Sequence, residues 1–258
     1  VYVLGHSYPY VYATVPVGGG PFDICSGSGH MYVSCAQSGE VVSIRTSDNT
    51  IESWAAAGEM PLGICITPDG QRLYVCCYGS GEVWCLDAST LEVIEVIPVG
   101  DGPWDICAHP SGEYLYLTCR LDGTVQVLRT SDNTITATVD VAEPTGIVSS
   151  VTGDCVYVCS YSADEVVKVR TADNSIEASI DVGTRPYNIA VTPNGMLAYV
   201  TCHFTERVYI IDLSIDTAVS YLEAGTRPNG VSLTSSGEYL YVSSSSSNTV
   251  HVLSLIHI

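Results

Sequence analysis

The residues best suited to chemistry in this chain recur around a repeated proline. It appears as Pro21, Pro61, Pro103, Pro144, Pro186 and Pro228, at intervals of 40 to 42 residues. Two positions after it stand Asp23, Gly63, Asp105, Gly146, Asn188 and Gly230. A pair of carboxylates held close together, such as Asp23 and Asp105, can divide acid and base roles between them. Arg185 and Arg227 come directly before their prolines, and paired guanidiniums suit a carboxylate or another anion. Phe22, Trp104 and Tyr187 come directly after theirs, with Asn229 in the same slot. Aromatic walls beside a few polar groups are the composition of a small-ligand site. A second set, Tyr78, Arg120, Tyr161 and His203, shares one slot further along the repeat and changes from unit to unit. A pure packing slot would repeat, so this variety points to ligand contact. The competing reading of Asp23, Asp105 and Asn188 is structural: such side chains also cap backbone amides where a strand begins.

Other chemistries find little support. Gly-x-Ser-x-Gly does not occur, so no nucleophile elbow is expected. His6, His30, His109, His203, His251 and His257 fall in different repeat slots, so no ring of metal ligands is expected. The 11 cysteines occupy repeating positions without Cys-x-x-Cys pairs, which argues against zinc. They read as small buried thiols and favour a reducing setting over a disulfide framework. Neither metal nor cofactor is expected. With 9 Lys+Arg against 28 Asp+Glu, the net charge is −19 and no basic run exists. Binding to phosphate backbones needs clustered cations, so nucleic acid is excluded as a partner. No run reaches the roughly 18 apolar residues that span a bilayer, so membrane insertion is not expected.

A repeat must position these groups. Tyr32, Tyr74, Tyr116, Tyr157, Tyr199 and Tyr241 recur every 41 or 42 residues, as in Tyr32-Val33-Ser34-Cys35 and Tyr199-Val200-Thr201-Cys202. So steady a period defines the architecture before any local motif does. Within each unit four short runs alternate apolar and polar residues, the period of half-buried strands. In the unit opened by Pro61 the runs are 62–67, 72–77, 82–86 and 91–99. Turn chemistry separates them: Thr67-Pro68-Asp69-Gly70 and Thr192-Pro193-Asn194-Gly195 join the first two runs. Asp48-Asn49 and Asp132-Asn133 cap the turn between the last two. Such a unit has two apolar faces and must stack on its neighbours, and four-stranded units stacked about an axis make a β-propeller. The repeated tyrosines are then packing residues between blades. With 46% hydrophobic and 14% charged residues and no linker, one all-β domain over 1–258 is expected.

The unit Pro-x-x-Ile-x-x-Thr-Pro-Asp-Gly-x-x-Leu-Tyr-Val, followed by Val-x-x-Leu-Asp, resembles the YVTN β-propeller repeat family. Residues 61–100 and 186–225 match it most closely, and the resemblance extends from residue 1 to about 252. Cys stands where that family usually carries Asn after Tyr-Val-Thr. The ends set the blade count. Residues 1–20 read as the outer two strands of a partial first blade, 21–227 as five complete blades, and 228–258 as a partial last blade. That makes seven positions, the number typical of the resembled family. The alternative is a six-bladed ring closed by pairing the N- and C-terminal strands. Residues 253–258 resemble a translated sequencing adapter, so the natural gene is expected to continue past Val252 in a bacterial, metagenomic source.

The resemblance implies a channel lined by the first strand of each unit, with the proline loops and the Tyr78/Arg120/Tyr161/His203 loops on one face. The expected function is a non-enzymatic module, a monomer binding a small molecule or a protein at that channel mouth. The expected contacts are Asp23, Tyr78, Trp104, Asp105, Arg120, Tyr161, Arg185, Tyr187, Asn188, His203, Arg227 and Asn229. The alternative, implied by similar propellers, is a sugar-lactone hydrolase. A third reading is a structural propeller within a larger surface or redox protein.

Overall fold

The computed structural model describes residues 2–4 and 11–255, and they form strands without any helix. Val1, His6, Tyr10, His257 and the last three residues of the adapter-like tail lie outside the described residues. The chain begins with a two-stranded sheet, β1 (Tyr2–Leu4) and β2 (Val11–Thr14). Blade I is β3 (Pro21–Gly27), β4 (His30–Cys35), β5 (Glu40–Arg45) and β6 (Thr50–Ala56). Blade II is β7 (Pro61–Ile66), β8 (Arg72–Cys77), β9 (Glu82–Asp87) and β10 (Val93–Pro98). Blade III is β11 (Pro103–Ala108), β12 (Tyr114–Cys119), β13 (Thr124–Arg129) and β14 (Thr134–Asp140). Blade IV is β15 (Pro144–Ser149), β16 (Cys155–Ser160), β17 (Glu165–Arg170) and β18 (Ile176–Asp181). Blade V is β19 (Pro186–Val191), β20 (Leu197–Cys202), β21 (Arg207–Asp212) and β22 (Thr217–Glu223). Blade VI has three strands, β23 (Pro228–Leu233), β24 (Tyr239–Ser244) and β25 (Thr249–Ser254).

Each blade is an antiparallel meander, and the fold is a β-propeller. Among the described residues six blades with an inner strand are present, which fits the six-bladed alternative in place of the expected seven positions. The sheet β1–β2 is the expected outer pair, and among the described residues it is hydrogen-bonded to no strand of blade VI. The inner strands pack side by side in series from β3 to β23. Each opens on its proline, which lacks an N–H and therefore suits the first position of a strand. A register shift follows directly, between Pro61 and Ile64 or Pro103 and Ile106 for example.

The core lies between blades. Tyr74, Cys76, Val83 and Cys85 of blade II pack on Ile106, Leu115, Leu117 and Cys119 of blade III, and the other interfaces repeat this arrangement. The tyrosines are buried there, Tyr32, Tyr74, Tyr116 and Tyr199 almost completely. A buried phenol needs a partner, and the neighbouring blade supplies it. Tyr32 donates to the Ala88 carbonyl at 2.8 Å, and Tyr74 donates to Asn133 Oδ1 at 2.8 Å. All 11 cysteines are free thiols. Burial is the first cause that pushes Cys77, Cys119 and Cys202 up to about 12, so at neutral pH they are inert packing groups.

The inner strands are joined by an alternating device. Asp23 accepts from the Ile24 amide at 2.8 Å and from the Ile64 amide of blade II at 3.1 Å. Asp105 does the same with Ile106 at 2.8 Å and with Ile147 of blade IV at 3.0 Å. Asn188, with a single acceptor oxygen, takes only the Ile189 amide at 2.7 Å. On the adjoining strands the Ser34, Thr118 and Thr201 hydroxyls donate to the Leu62, Thr145 and Asn229 carbonyls of the next blade. Blades I, III and V thus reach forward, and blades II and IV make room. A Cβ on Gly63 would stand 2.5 Å from the Asp105 Cα, and one on Gly146 would stand 2.6 Å from the Asn188 Cα. At Gly230 the nearest atom would be only the Ser243 hydroxyl, at 3.1 Å. Gly63→Ala and Gly146→Ala are therefore expected to destabilise by about 1–3 kcal/mol, the usual range for overpacking. Gly230→Ala should have a much smaller effect. Denaturant unfolding tests the contrast, and equal effects at the three sites would refute it.

Candidate functional site

The site is built where two sets of loops meet. The first residue after each second strand donates its amide to the carbonyl just before the proline. Tyr78 bonds Met60 at 3.0 Å, Arg120 bonds Gly102 at 2.9 Å, Tyr161 bonds Glu143 at 3.1 Å, and His203 bonds Arg185 at 3.1 Å. These stitches bring the two sequence-predicted sets of residues onto one face. They also require a left-handed backbone before the proline, which Gly20 and Gly102 adopt freely. Met60, Glu143, Arg185 and Arg227 adopt it with φ between 41° and 58°, at a cost of about 1–2 kcal/mol each.

The aromatic residues meet edge to face. Phe22 and Trp104 lie 5.5 Å apart between ring centroids, Trp104 and Tyr187 5.7 Å, and Tyr78 supports Trp104 at 5.6 Å. His203 stacks on Tyr187 at 3.9 Å and meets the edge of Tyr161 at 6.2 Å. Arg120 is sandwiched between Trp104 and Tyr161, 4.8 and 4.5 Å from their centroids. Arg185 lies 5.2 Å from Tyr161 and 4.4 Å from Phe204, and its Nη1 donates to the Tyr161 hydroxyl at 3.3 Å. An aromatic face holds a guanidinium while leaving its charge uncancelled. The chain has only nine Lys and Arg. Arg45, Arg129, Lys168, Arg170 and Arg207 form ion pairs with carboxylates, whereas Arg72, Arg120, Arg185 and Arg227 form none among the described residues, and Arg72 instead donates to the Thr130 carbonyl.

Two cavities flank this cluster. The first, about 590 Å³, is lined by Phe22, Asp23, Trp104, Asp105, Tyr187, Asn188 and Asn229, together with blade VI residues from Ser243 to Val250. The second, about 580 Å³, is lined by Arg120, Glu143, Tyr161, Ser162, Asp164, Thr184 and Arg185. Of the remaining predicted residues, Tyr78 backs Trp104 and His203 backs Tyr187. Arg227 acts on both His203 and Tyr187 through its charge. Sequence reasoning missed Phe204, the aromatic platform under Arg185. It also missed the blade VI wall, whose run of serines carries no chemical signature.

Electrostatics separates the groups. Asp23 and Asp105 border the first cavity with protein on their other sides. Burial raises both carboxyls well above the usual range, against the opposing pull of their amide donors. The charge of Asp23 raises Asp105 further. His203 is held down to about 4, first by burial, and the charges of Arg227, Arg120 and Arg185 add to this. The Asn229 side chain opposes this shift without reaching hydrogen-bond geometry with either ring nitrogen, and the imidazole is neutral at neutral pH. Among the described residues no cluster of three or more His, Cys, Asp or Glu could hold a metal ion.

A family model described as "Lactonase, 7-bladed beta-propeller" matches residues 57–256. The chain belongs to this lactonase family. No curated protein matches it. Among solved structures it is similar to a functionally unknown protein from Desulfotomaculum acetoxidans, with a TM-score of 0.77 at 18% identity, covering 88% of this chain and 79% of that one. It is similar to a candidate 6-phosphogluconolactonase from Bacteroides fragilis, with a TM-score of 0.75 at 16% identity, covering 88% and 77%. It is also similar to Kuenenia stuttgartiensis hydrazine synthase, with a TM-score of 0.63 at 19% identity, covering 96% and 99%. At these identities the structures share the fold with this lactonase-family propeller.

Two outcomes follow from the geometry. The folded state holds the Asp23 and Asp105 protons more tightly than the unfolded chain does. Their contribution to stability is therefore greatest in acid and falls as pH rises from about 4 through their raised range. Asp23→Asn removes the charge acting on Asp105 and should flatten that dependence, measured as the denaturation midpoint across pH. At the strained slot, Met60→Gly should gain about 1 kcal/mol from relief of the backbone. Arg185→Gly should gain little, because it also loses two ring contacts worth about 0.5–1 kcal/mol each.

Proposed function

We propose that this propeller hydrolyses a lactone that carries an anionic group. The observation that supports this reading most directly is the concentration of Arg120, Arg185 and Arg227, whose guanidiniums form no ion pair among the described residues, beside a cavity holding two raised carboxyls. In this reading Arg120 and Arg185 bind the carboxylate or phosphate of the substrate. The lactone ring lies against Trp104 and Tyr187. Asp105 accepts a proton from water as the water oxygen attacks the carbonyl carbon. The ring C–O bond then breaks, and the departing alkoxide takes the proton back. Releasing the interblade bond from Ile147 to Asp105 Oδ2 leaves one carboxylate oxygen for this work. His203, neutral and stacked behind Tyr187, positions that wall without adding charge. Membership of the lactonase family and the fold shared with a candidate 6-phosphogluconolactonase agree with this chemistry.

One observation favours the non-enzymatic reading, a binding module using the same face. Both oxygens of Asp23 and of Asp105 are engaged by backbone amides, which is the work of a strand cap. A hydrolysis assay on 6-phosphogluconolactone and on uncharged gluconolactone separates the two. The enzyme reading expects turnover above the spontaneous rate, faster for the phosphorylated lactone, and increasing with pH as Asp105 ionises. Asp105→Asn should lower kcat by about 100-fold or more. Asn188 already occupies the equivalent position in blade V, so the substituted side chain has a native precedent there. Arg120→Ala and Arg185→Ala should raise KM. Saturable binding without turnover would establish the binding module instead.

A further inference from the structure

We infer that the second cavity is a site for a zwitterion, a small molecule that carries an ammonium group together with a carboxylate or phosphate. The cavity is lined by charged side chains of both signs, Arg120 and Arg185 against Glu143 and Asp164. Opposite charges around one cavity ordinarily close into ion pairs, as Arg45 does with Asp48 and Glu52 on blade I. Here Arg120, Arg185, Glu143 and Asp164 form no ion pair among the described residues.

Stacking keeps the charges apart. Rings and guanidiniums alternate along one row, in the order Trp104, Arg120, Tyr161, Arg185, Phe204, with each cation 4.4 to 5.2 Å from the ring centroids beside it. Ring contact engages the faces of the guanidiniums and leaves their N–H groups almost unused. The Arg120 side chain donates to no group among the described residues, and Arg185 donates once, to the Tyr161 hydroxyl. The Glu143 carboxylate has no hydrogen-bond partner among them either. Asp164 commits Oδ1 to the Arg185 amide at 2.8 Å, which leaves Oδ2 open.

The backbone is strained where these charges stand. Every blade has two left-handed positions on this face, one directly before the proline and one four residues past the second strand. Blade I fills them with Gly20 and Gly39, and blade III with Gly102 and Gly123. Around the second cavity they carry Glu143 at φ 41°, Asp164 at 60° and Arg185 at 58°. Non-glycine residues in that region are conformationally costly and cluster where a ligand is held. A ligand bearing both charges satisfies the whole lining. Its anion lies between Arg120 and Arg185, and its ammonium is taken by Glu143 and Oδ2 of Asp164. Tyr161 already lies between the two guanidiniums, so the carboxylates are the groups left for the ammonium. This rests on the anion-binding role that the proposed function gives Arg120 and Arg185, but not on hydrolysis. Where the chain does hydrolyse a lactone, that substrate carries an amine beside its anion.

The test is calorimetric titration of the intact chain at low ionic strength with two matched pairs of probes. One pair is O-phosphoethanolamine and hydroxyethyl phosphate, and the other is β-alanine and hydroxypropionate. Within each pair a hydroxyl replaces the ammonium, so the ratio of affinities reports the carboxylates, and the better pair identifies the anion. In at least one pair the ammonium member should bind at least about tenfold more tightly. Glu143→Gln changes an exposed side chain, so the unfolding midpoint should stay while the two affinities draw together. Asp164→Asn should narrow the ratio too, and it keeps an oxygen for the Arg185 amide, Asn248 being the native residue of that slot in blade VI. Equal affinities within both pairs would overturn the zwitterion site and leave the anion role of the arginines standing. No binding by any of the four probes would overturn both. A preference that survives both substitutions would put the ammonium elsewhere and overturn the site as well.

Discussion

Each blade presents two apolar faces and has only its neighbours to cover them. Burying one valine or leucine is worth about 1.5–3 kcal/mol, and the filled interfaces bury between 6 and 11 residues each. An exposed ion pair such as Arg45–Asp48 or Arg129–Asp132 contributes about 0–1 kcal/mol. Stacking therefore holds the ring together, and the charged rim serves solubility. The same constraint explains the cysteines. A small apolar side chain fits where neighbouring strands approach closely, and burial keeps the thiol protonated.

Stacking also dictates where function can reside. Strand interiors are committed to packing, so variation is confined to the loops at the ends of the strands. On the proline face those loops are stitched to one another by backbone hydrogen bonds, which hold Arg120, Arg185, Trp104 and Tyr187 on rigid supports. Left-handed backbone at Arg185 and Arg227 is the conformational cost of placing long cations where glycine would be easiest. Asp23 and Asp105 join the two levels. They staple one inner strand to the next, and they bring carboxyl groups to the wall of the cavity.

Much of this was legible in the sequence. The 41–42-residue tyrosine period and the period-two runs determine four-stranded units that must stack, because no other arrangement covers both faces. The strand limits, the turn chemistry and the free, buried thiols follow from the same pattern. The variable slot of Tyr78, Arg120, Tyr161 and His203 was legible too, and the structure gathers it on one face, where Tyr78 and His203 serve as packing behind Trp104 and Tyr187. Only the tertiary structure decided how those residues are used. Ring stacking, burial and the loss of hydrogen-bond partners depend on which blades become neighbours, and spacing along one chain does not contain that information. It showed that the aspartate oxygens engage amides of the adjoining blade, 41 or 42 residues away. It showed that His203 is buried and neutral among three arginines. It also showed that Ile24 and Val250, ordinary members of the repeat by sequence, face an open gap, because burial belongs to the neighbour that covers a residue.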